Sequence, residues 1–402
     1  MKKKILFISY ALPPYLYPQS IQIGRFLKHL KKEYDVHVIC AEEKNTPPDP
    51  TLYPDIFSGI DDKKILKVPY RYHPYLNYAL SRVCPVLVKN PDQYVAWSST
   101  AFDACIAQFS DVQFDAVLTF SYPFSLNILG KRLKDYYGCR WIAHQSDPWV
   151  DNPSLNLGPV MRWINNRMEK KYYDDADGLV FTCVECSDFM KKKHPSLADR
   201  ITFIDHSFDP SLYPPATPRD DFPRIVRYIG NFYGKRTVKP LLQALPKLSE
   251  AARKNIRFEV VGANIKTKSI IKKARIPEEL LSVTGSVNYQ ESLRLMVNSD
   301  ALLMIDAPYK KDNILFPCKL TDYIGAGRPL LGICSPGPTA RILKSFGYSF
   351  YRHHQVEEFA SALERIALGR YTVDTTRQSE RCGYMETENS RKFIEIIDDI
   401  LQ

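Results

Sequence analysis

Phe316-Pro-Cys-Lys-Leu-Thr-Asp-Tyr-Ile-Gly-Ala-Gly-Arg-Pro-Leu-Leu-Gly332 reads as a loop, a short helix, a Gly-Arg-Pro break and a buried strand that starts at Leu330. Pro317 suits the first position of a helix, because the N–H it lacks is one a helix start leaves unpaired anyway. Gly325 and Gly327 end the helix, and Pro329 forbids its continuation. Lys319 and Asp322 are three residues apart and fall on one face of its first turns. A helix start carrying a cation and a carboxylate suits a ligand with both phosphate and hydroxyl groups. The N–H groups and Lys319 would take phosphate, and Asp322 would accept from sugar hydroxyls. The same residues also suit an ordinary α/β crossover with a surface Lys–Asp pair, and the stretch alone leaves both readings open.

Outward from that stretch, the 402 residues are too many for one ordinary core and predict about two or three domains. With 45% hydrophobic and 25% charged residues, the chain has the composition of a soluble globular protein. No uninterrupted apolar run approaches the ~18–20 residues of a membrane span. The N-terminal Met1-Lys-Lys-Lys-Ile-Leu-Phe-Ile-Ser-Tyr10 leads into Pro13-Pro14 without a small-residue cleavage site. It therefore reads as a first buried strand, and a cytoplasmic protein is expected. The nine cysteines are scattered, and Cys183-Val-Glu-Cys186 has no second pair at zinc-ribbon spacing. Buried, reduced cysteines are expected. The net charge of +10 calls for an anionic partner. With no nucleic-acid motif present, a phosphorylated ligand or an anionic membrane surface fits better than DNA or RNA.

The rest of the chain alternates between strand and helix patterns. Lys4–Tyr10 is a continuous apolar run, as in a parallel strand covered on both faces. A loop from Ala11 to Gln19, a helix over Ile21–Leu30 and a strand over Asp35–Cys40 complete a βαβ unit. Residues 44–100 read as an irregular insertion. Strands at Phe114–Phe120, Arg140–His144, Gly178–Thr182 and Ile201–Ile204 follow, with helices at Leu126–Tyr136, Met161–Asp174 and Ser187–Lys193. The proline-rich segment 208–223 reads as a linker between an N-terminal domain, 1–207, and a C-terminal domain, 224–384. Beyond it come strands at Arg224–Ile229, Arg257–Gly262, Ala301–Ile305 and Leu330–Cys334, with helices at Val238–Leu248, Lys266–Ala274, Tyr289–Asn298 and Pro338–Phe346. The tail, 385–402, is an amphipathic helix expected to cross back to the N-terminal domain. The predicted fold class is α/β, with two Rossmann-like, doubly wound domains facing a cleft, where small-molecule sites concentrate.

The order of these segments resembles the GT-B glycosyltransferases, in particular the retaining, family-4-like group that assembles bacterial surface polysaccharides. Phe203-Ile-Asp-His-Ser-Phe-Asp209 loosely resembles the family's "ipNGvD" crossing, and Ile229-Gly-Asn-Phe-Tyr-Gly-Lys-Arg236 its "vGrl...KG" segment. The stretch 316–332 is similar to "PsKlyEYlaxGkPvi". The resemblance implies that Asp322 binds the ribose hydroxyls of a nucleotide sugar and that Lys319 faces its diphosphate. Arg236 stands where the family has Lys and would pair with the departing diphosphate, while Gly230 lets the backbone approach it. The implied nucleotide-sugar set is Gly230, Asn231, Arg236, Asn313, Lys319, Leu320 and Asp322. The family's first glutamate falls at Ile314, which accepts no hydrogen bond, so Asp312 or Asn313 would have to replace it. Asn231 stands where an Arg is common, and Pro18-Gln-Ser20 replaces the usual glycine pair. In the N-terminal domain, His144 ends a strand where many members place a His near the reacting sugar, and Asp147-Pro-Trp149 resembles an "RDPW" loop. A packed imidazole for His144 and a turn or cap role for Asp147 remain the competing readings.

The activity implied is transfer of a sugar from a nucleoside-diphosphate sugar to a glycan or lipid-linked acceptor, with His144, Asp147, Arg236 and Lys319 as the catalytic set. Charge developing on the β-phosphate would be stabilised by Arg236, Lys319 and the helix start near Pro317. No cofactor and no metal are expected, the donor being a substrate; no Asp-x-Asp pair follows a strand. The expected place is the cytoplasm, peripheral to the inner face of the membrane. A non-catalytic subunit that binds a partner or glycan is the alternative from another class. A GT-B nucleotide-sugar epimerase is the alternative among enzymes.

Overall fold

A computed structural model describes residues 2–15, 17–42, 48–49, 51–70, 90–152, 155, 157–217, 221–309, 312–371 and 375–402. The chain divides into two compact units, Met1–His206 with Glu386–Gln402, and Ser207–Met385.

The first unit is built on a parallel sheet of β1 (Lys4–Ser9), β2 (Asp35–Glu42), β3 (Ile65–Pro69), β4 (Ala116–Ser121), β5 (Arg140–Gln145), β6 (Gly178–Phe181) and β7 (Ile201–Phe203). Among the described residues the order is β3-β2-β1-β4-β5-β6-β7. Parallel pairing needs a crossover at every step, so helices cover both faces and the central strands are apolar throughout. All six residues of β4 are buried. The final helix, Glu386–Ile400, belongs to this unit. It seats Phe393 against Phe26 with ring centroids 4.9 Å apart, and Glu386 takes Lys28 at 2.5 Å. Pro18 to Ser20 do not lie in the first loop. They open the helix Pro18–Glu33, where the Ser20 hydroxyl accepts from the Tyr17 N–H at 3.2 Å. The segment 44–100 is likewise not irregular throughout, since it contains β3 and the start of the helix Val95–Phe109. Residues 71–89 of it lie outside the described residues.

The second unit repeats the plan with β8 (Arg224–Ile229), β9 (Ile256–Val261), β10 (Leu281–Val283), β11 (Ala301–Ile305), β12 (Leu330–Ile333) and β13 (Ser349–Tyr351). The order is β10-β9-β8-β11-β12-β13, again parallel. In each sheet the order reverses beside the first strand, between β1 and β4 and between β8 and β11. Such reversals leave a crevice outside the carboxyl ends of the strands.

Residues 208–217, inside the segment read as a linker, are a packed part of the second unit. Phe208 is buried, and the Tyr213 hydroxyl donates to the Asp322 carbonyl at 3.0 Å. This packing explains Gly325. It does not end the helix Cys318–Ala326; Gly327, left-handed at φ 65°, does. A Cβ on Gly325 would stand 2.2 Å from the Tyr213 hydroxyl and 2.8 Å from the Phe208 ring. Gly325→Ala should therefore destabilise the protein by about 1–3 kcal/mol through overpacking. Tyr213→Ala in the same chain should recover part of the loss, as measured by chemical denaturation, whereas strictly additive effects would refute the contact.

Candidate anion site at the second switch point

β8 and β11 pair only through Val226 and Arg227. Beyond that point the Tyr323 hydroxyl accepts from the N–H of Ile229 at 2.8 Å and donates to its carbonyl at 3.1 Å. A side chain thus replaces a neighbouring strand and draws the helix Cys318–Ala326 into the switch point. The chain then turns at Gly230, whose φ of 134° suits glycine alone. A Cβ there would sit 2.7 Å from the Lys319 Nζ, so the glycine also makes room for the ammonium. Lys319 donates to the Tyr228 hydroxyl at 2.6 Å and lies 4.1 Å from the centre of that ring. The Tyr228 ring is stacked on Phe232 at 4.2 Å. Burial pulls the Lys319 pKa well below the usual lysine value; the neighbouring Arg236 adds to the effect and Asp306 opposes it.

Arg236 comes from the loop after β8 and Asp306 from the end of β11. Arg236 Nη2 donates to Asp306 Oδ1 at 3.0 Å, and the two side chains are 8% and 3% exposed. The guanidinium lies over Tyr233, 4.9 Å from its centre, and its buried Nε has no partner. Asp306 Oδ1 also accepts from the Ala307 N–H at 2.8 Å. Its Oδ2 accepts from Asn313 Nδ2 at 3.0 Å and from the Thr339 hydroxyl at 3.1 Å. Asn313 further takes the Leu315 N–H on Oδ1 at 3.0 Å. Arg236, Lys319 and one carboxylate converge in a largely dry place, leaving an unpaired guanidinium N–H and a lysine whose charged form burial disfavours. An entering polyanion would meet both needs. Asp306 escaped the sequence reading, although its signal was present as an acid directly after the apolar strand Ala301–Ile305.

The remaining candidates fall elsewhere. Lys319 and Asp322 do not act side by side, because Lys319 reaches Tyr228 on β8 while Asp322 Oδ1 accepts from the Tyr289 hydroxyl at 2.9 Å. Leu320 is fully buried, and its N–H is on the Pro317 carbonyl. Asn231 has an exposed side chain, and its carbonyl takes the Tyr228 hydroxyl at 3.4 Å. Ile314 is half-buried.

His144 and Asp147 belong to the first unit. The His144 ring packs against Phe26, Phe120 and Phe393 with centroids 5.6, 5.3 and 6.2 Å away. Its Nδ1 is buried without a partner, and burial lowers its pKa to about 4. That is the environment of a neutral core imidazole. Asp147 accepts from Asn152 Nδ2 at 3.1 Å, and burial raises its pKa to about 6. Its loop is held by Trp149 Nε1 on Asn165 Oδ1 at 2.8 Å and by the Val150 N–H on Glu169 at 3.1 Å. Cys183 and Cys186 are buried and form no disulfide.

No protein-family model matches the sequence, and neither does any curated protein. Solved structures do. The apo form of the lipopolysaccharide outer core galactosyltransferase WaaB is 15% identical with a TM-score of 0.64, over 98% of this chain and 99% of that one. HepE from Anabaena, solved with UDP and glucose, is 12% identical with a TM-score of 0.65, over 99% and 100%. Sucrose-phosphate synthase from Thermosynechococcus elongatus is 13% identical with a TM-score of 0.69, over 99% of each chain. The chain has the two-domain α/β fold of these proteins, GT-B.

Because the folded pKa of His144 lies below the unfolded value of about 6.5, the unfolded state binds more protons between about pH 4 and 6.5. Stability therefore falls as pH drops through that window, by an amount on the order of 3 kcal/mol for this residue at the acid end. His144→Phe should remove that slope. The difference in melting temperature between variant and parent should shift in the variant's favour from pH 7 to pH 4.5, and a pH-independent difference would show that His144 is not a buried neutral base.

Proposed function

We propose that the protein transfers a sugar from a nucleoside-diphosphate sugar to a glycan or lipid-linked acceptor in surface-polysaccharide assembly. The observation that carries this reading is the pairing of Lys319 and Arg236 beside Gly230 at the β8/β11 switch point. Nucleotides bind at such points in doubly wound sheets. Leaving-group departure puts negative charge on the β-phosphate, and two fixed, desolvated cations stabilise that charge without reorganising. Retention of configuration follows the family resemblance. In the first unit, Asp147 is suited to take a proton from the acceptor hydroxyl, since a carboxylate with a pKa of about 6 is a competent base near neutral pH. The buried placement of His144 favours a packing role over contact with sugar.

A nucleotide-dependent rise in melting temperature, read across a panel of nucleoside diphosphates, tests donor binding. Turnover of the matching nucleotide sugar with a lipid-linked acceptor tests the reaction. Lys319→Ala should abolish the thermal shift and lower turnover by about 100-fold or more. Turnover untouched by that change would refute the site. The apolar Ile314 gives the non-catalytic alternative its support, and tight nucleotide binding with no turnover on any acceptor would favour it.

The surface partner we propose is an anionic membrane face. Val160 and Trp163 are 65% and 56% exposed at the start of the helix Pro159–Asp175, and Leu155, in the segment before it, is 38% exposed. Arg167 lies 4.0 Å over the Trp163 ring, and Arg162, Lys170 and Lys171 flank the same segment, with Asp151 and Asp174 partly offsetting the first two. An amphipathic face with aromatic tips and basic edges suits the headgroup region. No helix among the described residues is long and apolar enough to cross a membrane. The protein should float with phosphatidylglycerol-containing vesicles but not with phosphatidylcholine alone, lose binding as salt rises, and bind about tenfold more weakly as Trp163→Ser. Salt-insensitive binding, or none, would refute the surface.

A further inference from the structure

We infer that Asp306 is the resident counter-ion of the anion site: it occupies Arg236 while the site is empty and yields it to a diphosphate, and so sets how tightly that group is held. The inference rests on the nucleotide-diphosphate reading of the site and goes beyond it by giving a role to a residue that reading does not include.

Asp306 joins several separate segments. It receives Arg236 from the loop after β8, Asn313 from the loop before the helix Cys318–Ala326, and Thr339 from the first turn of the helix Pro338–Ser345. Its own carbonyl accepts from His353 Nε2 at 2.9 Å. The three contacts other than Arg236, namely the Ala307 N–H, Asn313 and Thr339, fix both carboxylate oxygens. The carboxylate is thus tethered independently of the guanidinium it neutralises. Arg236, by contrast, is held by one hydrogen bond to Asp306 and by its position over Tyr233, and its Nε is buried and unpaired. Asp306 is therefore the fixed member of the pair and Arg236 the one with bonding capacity left over. A buried guanidinium without a counter-ion is strongly unfavourable, so the carboxylate keeps the empty site folded. Coulombic attraction to the same carboxylate also weakens the cation's pull on any incoming anion. A diphosphate bound through the Arg236 Nε and through Lys319 would offer several acceptor oxygens in place of one.

The test is inorganic pyrophosphate binding, which does not depend on the nucleotide base or the sugar, measured by calorimetry and by thermal shift on the full chain. Asp306→Asn keeps an oxygen toward Arg236 and the Ala307 N–H, and the Thr339 hydroxyl can turn to accept from the new amide, while Asn313 Nδ2 loses its acceptor there and keeps only the Leu315 carbonyl. Three outcomes are expected: a lower melting temperature without ligand, a larger pyrophosphate-induced shift, and pyrophosphate affinity about fivefold or more above the parent. In an Arg236→Gln background the gain should shrink to less than about twofold, because the carboxylate acts through the guanidinium. A purely structural Asp306 would lower the melting temperature with and without pyrophosphate equally. That result, unchanged or weaker affinity, or a gain that persists without Arg236 would overturn the inference. Should Asp306→Asn fail to fold, Asp306→Asn with Arg236→Gln compared with Arg236→Gln alone still decides it, and a clear difference in affinity between those two overturns it. A parent protein that binds neither pyrophosphate nor any nucleoside diphosphate overturns the function reading itself, and the counter-ion role with it. Binding in the parent with no gain in the variant overturns the counter-ion role alone.

Discussion

At the carboxyl end of β8, beyond its pairing with β11, the N–H and carbonyl of Ile229 are both met by the Tyr323 hydroxyl. The second unit's site depends on this substitution. A doubly wound sheet must part where its order reverses, and the backbone groups exposed by the parting need partners. Because the partner is a side chain from the helix Cys318–Ala326, the start of that helix is fixed beside Gly230. Lys319, four residues before Tyr323, is thereby carried over the Tyr228 ring. The glycines serve the same geometry. Gly230 admits the ammonium, and Gly325 lets Phe208 and Tyr213 pack on the back of the helix.

The electrostatics follow from that placement. Lys319 and Arg236 would repel one another in a dry site, and the pair persists because Asp306 lies against Arg236 while the ammonium rests on an aromatic face. Burial acts on the two cations differently. A guanidinium stays charged in almost any surroundings, whereas an ammonium can give up its proton, and the Lys319 pKa is drawn down accordingly. The first unit has a different character. Its strand ends lie among aromatic rings, with Tyr94 against Tyr10 at 4.5 Å and Phe124 stacked on Trp149 at 5.7 Å, and its titratable groups His144 and Asp147 are shifted by burial more than by paired charge.

Much of the architecture was legible in the residues. Continuous apolar runs such as Lys4–Ser9 and Ala301–Ile305 mark strands buried on both faces, and the interleaved helical periodicity predicts parallel sheets. The edge strands β3, β10 and β13 were missed because short, half-exposed strands lack a continuous apolar run. The segment 208–217 packs where a linker is predicted, because its prolines predict an extended chain but say nothing about whether Phe208 and Tyr213 pack. Lys319, Arg236, Gly230 and Asn313 were identified from local chemistry and family resemblance, and they do meet around Asp306 or Tyr228.

By itself, the sequence determined the α/β class, the two-unit plan and the residue types available for an anion, because periodicity and side-chain chemistry are local properties. Tertiary structure alone decided which of those residues meet. Helical spacing put Lys319 and Asp322 on one face, yet packing sent Lys319 to β8 and Asp322 to Tyr289, since each polar group seeks its partner across the sheet as well as along the helix. Packing also made His144 a core residue, through three phenylalanines from three segments. It placed Asp306 at the centre of a site that no motif had assigned to it, because its side-chain donors come from residues 7 to 70 positions away in the chain.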